Sequence, residues 1–281
     1  MNSTRAGRAP VRAAEGAGER VAHTDSFEWL ARAGLLARGV VYGVIGLLAI
    51  KLALGDGGKA TNQQGALHTI AQQAFGKVLL VLVAVGLAGY ALWRLVRAAI
   101  GHGSDGSDDT KERIGGLVSG IAYASLCFAA VGILLGSGGS GGASSHPAKT
   151  TGGVLDWPGG RFLVGLAGLI IIGVALEQGY KGVKCKFLEK SKTEEMSPRT
   201  ESAFTGVGVF GHLARMVVFG LIGYFLVKAA IDYDPDKAIG LDGALATLGQ
   251  SSYGPALLGI VAAGLIGFAL YSVLDARYRK V

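Results

Sequence analysis

Two segments of the chain, GLLARGVVYGVIG at residues 34–46 and GHLARMVVFGLIG at residues 211–223, share one pattern of glycine, apolar and arginine positions. A third segment, GGLVSGIAY at residues 115–123, follows the beginning of this pattern but has Ser119 where the other two have arginine. Each segment lies within an apolar stretch of about 20 residues, the length that a helix needs to cross a bilayer core of about 30 Å. The repetition therefore predicts three copies of one membrane-spanning unit.

A returning span follows each of the two outer segments. Residues 86–93, GLAGYALW, match residues 264–271, GLIGFALY. Units of two spans keep the same orientation in the membrane. The sequence thus predicts an all-α polytopic membrane protein, whose six transmembrane helices form three tandem parallel two-helix repeats around a pseudo-threefold axis.

The boundaries of these units follow from the apolar stretches. We expect spans near residues 29–54, 78–100, 114–135, 162–180, 207–231 and 255–274. The corresponding repeats cover residues 29–103, 111–187 and 204–276. Residues 1–28 are rich in Ala, Gly, Arg and Glu and have no apolar span, so we expect a disordered cytoplasmic arm.

The loops between the two spans of a repeat differ in composition. In the first and third repeats, residues 65–75 and 243–248 mix apolar and polar positions, which predicts a short helix lying on the outer membrane surface. In the middle repeat, residues 136–142 are almost all Gly and Ser, which predicts a flexible segment.

The composition and the charge distribution support a membrane protein. Hydrophobic residues make up 50% of the chain and charged residues 17%, too few to cover a water-facing surface. Of the 27 Lys and Arg residues, about three quarters fall on one side of the predicted membrane. The positive-inside rule then places both termini in the cytoplasm and the protein in the cell membrane. Basic residues beside the membrane attract anionic lipid headgroups, and since no nucleic-acid recognition motif accompanies them, we expect no nucleic-acid partner.

The repeated segments resemble a known family. The Leu-Ala-Arg segments at residues 36–38 and 213–215, the Gly-Ala-Leu segments at residues 65–67 and 243–245, and the three-hairpin plan are similar to the bacterial membrane proteins of domain of unknown function 1206. The resemblance covers about residues 28–276, although the middle repeat lacks both the arginine and the Gly-Ala-Leu segment. It implies the fold but no activity, so it supplies no catalytic residues.

The charged residues within the spans are the candidates for a functional site, because charges inside a membrane are rare. Arg38 precedes Lys51 by 13 residues, and Arg215 precedes Lys228 by the same number. At 1.5 Å per residue each pair spans only about 20 Å, so at least one member of each lies at the depth of the hydrocarbon. One interpretation is that these side chains reach separately toward the two membrane surfaces.

The other interpretation is a buried cluster on the cytoplasmic side. Two arginines close together repel unless an anion or a carboxylate lies between them. Glu177 and Asp275 are the carboxylates at roughly that depth, and we predict that Arg38 and Arg215 either pair with Glu177 or jointly hold a lipid phosphate. His212, three residues before Arg215, is included in this candidate site, although a histidine packed between helices would have the same spacing.

The sequence contains no motif that indicates catalysis. There is no nucleophile and base pair, no metal-binding spacing, no nucleotide-binding loop and no haem attachment site, so we expect neither an enzyme nor a cofactor nor a metal. Two hypotheses remain. The first is a structural or accessory membrane protein that binds lipid, a protein partner or further copies of itself. The second is a conduit for small solutes or ions along the pseudo-threefold axis.

Overall fold

The computed structural model describes residues 25–100, 110–136 and 147–280, and this part of the chain is helical. Its nine α-helices are α1 (Asp25–Ala53), α2 (Gln63–Ala71), α3 (Gly76–Ile100), α4 (Thr110–Leu134), α5 (Pro147–Leu155), α6 (Gly160–Val183), α7 (Pro198–Asp232), α8 (Leu241–Gly249) and α9 (Gly254–Tyr278). The predicted arm lies almost entirely outside the described residues.

Six helices in the described residues are long and apolar enough to cross a membrane: α1, α3, α4, α6, α7 and α9. The predicted six-span, all-α fold is therefore confirmed. Helix α7 is longer than expected because it begins at Pro198, after the Ser197 side chain accepts a hydrogen bond from the Thr200 amide. Its 35 residues extend for about 50 Å, so it projects beyond a bilayer core.

Each repeat consists of a long helix, a short helix and a second long helix. Helices α2 and α8 lie where the sequence predicted short helices, and their apolar residues Leu67, Ile70 and Leu245 are buried in the core. The middle repeat also has a short helix, α5, which the sequence did not indicate. Residues 137–142 of the predicted flexible segment lie outside the described residues. We call the end of the bundle with α2, α5 and α8 the short-helix end, and the opposite end the basic end.

The six spans form an open ring in chain order, in which five of the six neighbouring pairs pack together. Helix α1 packs against α3, α3 against α4, α6 against α7, α7 against α9, and α9 against α1. This is the order that three tandem repeats around a threefold axis would produce. One edge of the ring differs, because in the described residues α4 does not pack along α6. We call this edge the α4/α6 opening.

Three equivalent glycines explain the difference between this edge and the others. Gly34 lies against Tyr90 of α3, and Gly211 lies against the backbone of Phe268 of α9, so neither site has room for a Cβ atom. A Cβ atom at Gly115, the equivalent position in the middle repeat, would meet nothing within 4 Å. Close approach of the backbones thus joins the two spans of the first and third repeats, and the middle repeat lacks this contact.

Candidate functional site

Arg38 is buried inside the ring, with 8% of its surface exposed. Its Nε donates a hydrogen bond to Ser272 Oγ at 3.1 Å, and its Nη1 donates to the Tyr90 hydroxyl at 3.4 Å. Its Nη2 forms an ion pair with Asp275 Oδ2 at 3.5 Å. One guanidinium therefore joins α1 to α3 and α9.

Asp275 is the acidic centre of this cluster, and its side chain is completely buried. Besides Arg38, it accepts hydrogen bonds from Arg279 Nη1 at 3.0 and 3.3 Å. Burial opposes the charge on Arg279, but the adjacent Asp275 carboxylate and the neighbouring hydroxyls of Tyr271 and Tyr90 together raise the pKa of Arg279. Because a buried carboxylate is stable only when it is paired, the two arginines account for the position of Asp275.

Tyr90 connects the cluster to the rest of α3 and to α4. Its hydroxyl accepts hydrogen bonds from Arg94 Nε at 3.1 Å and Nη2 at 2.9 Å, in addition to the one from Arg38. Its ring packs edge-on against Tyr123 of α4, with centroids 4.6 Å apart. The cluster thus contains three guanidinium groups and one carboxylate, of which Arg38 and Arg279 pair with Asp275 directly, and it has a net positive charge.

Arg215 lies on α7 and has a different environment. Its guanidinium carbon is 4.4 Å from the ring centroid of Phe268, 5.0 Å from that of Phe219 and 5.5 Å from that of Tyr42. Helices α1 and α7 are not neighbours in the ring, so the contact with Tyr42 crosses its interior. The buried Nε of Arg215 has no hydrogen-bond partner in the described residues. Aromatic faces stabilise this cation, but no carboxylate of the described residues pairs with it.

The structure corrects the prediction for Glu177. Its carboxylate is 2.7 Å from Lys181 Nζ, one turn further along α6, and its side chain is 55% exposed. The buried face of α6, which includes Ala175, Gly179 and Gly182, points toward α7 and leaves Glu177 on another side of the helix. The prediction that Glu177 pairs with the two arginines is therefore wrong, and Asp275 is the carboxylate that pairs with Arg38.

His212 packs between helices. Its Nδ1 is 2.7 Å from the carbonyl oxygen of Gly208, to which it can only donate, and its ring stacks on Phe187 with centroids 5.1 Å apart. Phe268 and Tyr271 contact the same ring at their edges. These contacts satisfy the imidazole within the helix packing and do not direct it toward Arg215.

The remaining charged residues of the spans lie apart from this cluster. Lys51 and Lys228 are exposed near the short-helix end. The sequence missed Ser272, Tyr90 and Arg279, although Arg279 follows Asp275 by one helical turn, a spacing that indicates an ion pair. The described residues contain no group of three or more His, Cys, Asp or Glu side chains that could hold a metal ion.

Comparison with known proteins agrees with this repeat structure. The model of a family described as Domain of Unknown Function (DUF1206) matches residues 33–101, 114–184 and 210–279, one match in each repeat. The chain belongs to the DUF1206 family. This DUF1206 protein is also 35% identical over 253 residues to the Uncharacterized protein YxxB of Bacillus subtilis (strain 168), which covers 89% of the chain and 90% of that protein. No solved structure matches the DUF1206 protein.

Proposed function

We propose that this DUF1206 protein is a structural or accessory protein of the cell membrane, with both termini in the cytoplasm and no catalytic activity, which binds anionic phospholipid or a partner near its basic end. The observation that carries the proposal is Arg215, a guanidinium between membrane-spanning helices that has no carboxylate beside it in the part of the chain that the structure describes. A cation in such surroundings is stabilised by an anion, and the anionic group that a membrane supplies is a lipid phosphate.

The distribution of basic residues supports the same proposal. The chain carries a net charge of +7, and most Lys and Arg residues of the described part of the chain lie in the loops and helix ends of the basic end. Such residues attract an anionic membrane surface, with about 1 kcal/mol for each Lys or Arg near it. Anionic lipids would therefore be concentrated around the bundle where Arg215 is located.

Native mass spectrometry of the detergent-solubilised protein tests this proposal. We expect the protein to retain phosphatidylglycerol in preference to phosphatidylcholine. Arg215→Leu should lose most of this preference, whereas Lys228→Leu, which removes an exposed cation near the other end of α7, should keep it. Equal retention of both lipids by the unaltered protein would contradict the proposal.

A conduit along the ring axis is the second candidate, and the ring order of the helices favours it. The packing of the interior supports a conduit less well. Ile45, Leu265 and Phe268 are fully or almost fully buried between the helices and fill the space beside α1 and α9. We therefore expect proteoliposomes that contain the protein to release trapped ions no faster than empty liposomes, and release that depends on Arg215 would favour the conduit instead.

A further inference from the structure

We propose that Arg215 and Gln178 together form a binding site for one phosphate group inside the helix ring, which the group enters sideways through the α4/α6 opening. This inference rests on the proposed function and specifies its site. It assigns a role to Gln178, which the sequence did not indicate, and it separates Arg215 from Arg38.

The two repeat-equivalent arginines differ in what satisfies them. Arg38 has Ser272, Tyr90 and Asp275 around its guanidinium. Arg215 has aromatic rings around it, and its buried Nε has no acceptor in the described residues. Arg38 Nη2 also has no hydrogen-bond acceptor in the described residues, but it lies 3.5 Å from the Asp275 carboxylate. A ligand would therefore supply to Arg215 the anionic partner that Arg38 already has.

Within the described part of the chain, Gln178 has an unpaired hydrogen-bond acceptor, whereas Arg215 has an unpaired donor. Its Oε1 atom is buried and has no hydrogen-bond partner among the described residues. An unpaired buried polar atom is costly, and it commonly marks a group that a ligand or a water satisfies. Gln178 is half-buried on α6, a helix whose other polar side chains near this level, Glu177 and Lys181, form an exposed ion pair.

Helix geometry brings these two groups to the same place. Gly179 of α6 packs directly on Met216 of α7, and Gln178 and Arg215 are the residues that precede them. Helices α6 and α7 are antiparallel, so they wind in opposite senses when viewed from one end. In each helix the preceding residue points about 100° away from the contact residue. Because the helices run in opposite directions, these two rotations bring Gln178 and Arg215 to the same side of the helix pair. The contact of Arg215 with Phe268 and Tyr42 identifies this side as the interior of the ring.

A phosphate group fits the chemistry of this pair. Its oxygens accept from the Arg215 guanidinium, and charge-assisted hydrogen bonds of this kind are strengthened where aromatic side chains exclude water. The Gln178 amide contributes a second contact, since it can accept from a hydroxyl on the phosphate or headgroup or, turned over, donate to a phosphate oxygen.

The α4/α6 opening provides the route. The sides of α4 and α6 that face away from their packed neighbours are exposed, at Val118, Ile121 and Ser125 on α4 and at Ile170 and Val174 on α6. A phospholipid can insert its headgroup through such an edge while its acyl chains stay in the bilayer. A soluble phosphate ester offers the same chemistry from the aqueous side.

Substitutions of Gln178 test the site. In Gln178→Glu the new carboxylate lies beside Arg215 and replaces the ligand, so we expect the purified protein to lose its bound phosphatidylglycerol and to melt at a higher temperature. Gln178→Leu should reduce retention of phosphatidylglycerol about tenfold, since one hydrogen bond to a charged group is lost. Glu177→Gln, at the adjacent exposed position, is the matched control and should retain the lipid.

The source of the phosphate is distinguished in the same experiment. A rise in melting temperature with millimolar inorganic phosphate, absent in Gln178→Glu, would indicate a soluble phosphate, whereas retention of phosphatidylglycerol without that rise would indicate a lipid. If Arg215→Leu loses the lipid and both Gln178 variants keep it, this inference is overturned while the proposed function stands. Failure of the unaltered protein to bind either ligand would overturn both.

A crosslink tests the route. In a protein with Cys127 and Cys185 replaced by alanine, Ser125→Cys and Ile170→Cys place thiols on the exposed sides of α4 and α6. A bifunctional maleimide that joins the two thiols, checked by intact-protein mass spectrometry, would close the opening. We expect the crosslinked protein to take up labelled phosphatidylglycerol from vesicles at least ten times more slowly than the same protein before crosslinking. Unchanged uptake would rule out entry through this opening.

Discussion

Asp275 shows how one residue can hold several spans together. Its fully buried carboxylate is shared by Arg38 of α1 and by Arg279 just beyond α9. Removing one member of a buried ion pair leaves an uncompensated charge in a medium of low dielectric constant, which typically costs about 3–5 kcal/mol. The exposed pair of Glu177 and Lys181 resembles surface ion pairs, which contribute about 0–1 kcal/mol.

We therefore expect Asp275→Asn to lower the melting temperature of the detergent-solubilised protein by many degrees, while Glu177→Gln changes it little. Thermal unfolding followed by circular dichroism measures both. The two substitutions make the same change from carboxylate to amide, so similar melting temperatures would show that Asp275 is not the centre of a stabilising cluster.

The sequence was informative about the arginines and less informative about their partner. A charge within an apolar stretch is visible without a structure, and this identified Arg38 and Arg215. To choose between Glu177 and Asp275, one must know how each helix is rotated about its axis relative to its neighbours. Depth along a helix follows from residue number, but the direction in which a side chain points relative to a neighbouring helix depends on packing that the sequence does not state.

At the scale of the helices, the repeated glycines determine which spans meet. A Cβ atom at Gly211 would lie 2.6 Å from the Phe268 Cα and 2.7 Å from its nitrogen, and this backbone cannot move without separating α7 from α9. Gly220 lies on the same helix, but a Cβ atom there would meet nothing within 4 Å. The two positions have the same helical conformation and differ only in their surroundings.

We expect Gly211→Ala to destabilise the protein by about 1–3 kcal/mol, the usual range for overpacking. Gly220→Ala should be neutral or stabilising by up to about 1 kcal/mol, because alanine is the better helix former. Unfolding in a denaturing detergent compares the two variants, and equal effects would show that the α7–α9 contact tolerates a methyl group.

The positions of the spans could be predicted because a stretch of about twenty apolar residues is typical of a transmembrane helix. The short helices could be predicted only in part. Helices α2 and α8 have apolar residues at helical spacing, and these became their buried faces. Helix α5 contains Pro147, two threonines and two adjacent glycines, which are poor helix formers, so its sequence gave little indication of a helix. Only Thr151 and Leu155 of α5 are buried.

At the scale of the whole molecule, six spans and the asymmetric distribution of Lys and Arg predict which end faces the cytoplasm. We expect a membrane-impermeant maleimide, applied to intact cells, to label a cysteine introduced at Thr61, near the short-helix end. The same reagent should not label one introduced at Thr193, which lies in the loop between α6 and α7. Alanine replaces the native cysteines in both variants, and the opposite labelling pattern would invert the topology.

The repeats predicted the order of the helices around the ring but not the opening. A pattern with three copies implies three equivalent edges, and the absence of arginine from the middle copy was visible in the sequence. In the part of the chain that the structure describes, the two spans of this copy do not pack together, and a Cβ atom at Gly115 would meet no neighbour within 4 Å. The sequence alone does not show that this contact is missing.

The ion pair between Arg38 and Asp275 has a consequence for biosynthesis. Ser272, which binds the same guanidinium, is 234 residues away from Arg38 along the chain. A ribosome adds about 5–20 residues per second, so α1 is made on the order of ten seconds or more before α9 can supply its counter-charge. During that interval the nascent first span carries an unneutralised arginine, which favours its retention beside the insertion machinery until the last span arrives. Chains that terminate before Asp275 would keep this exposed charge and become substrates for membrane quality control.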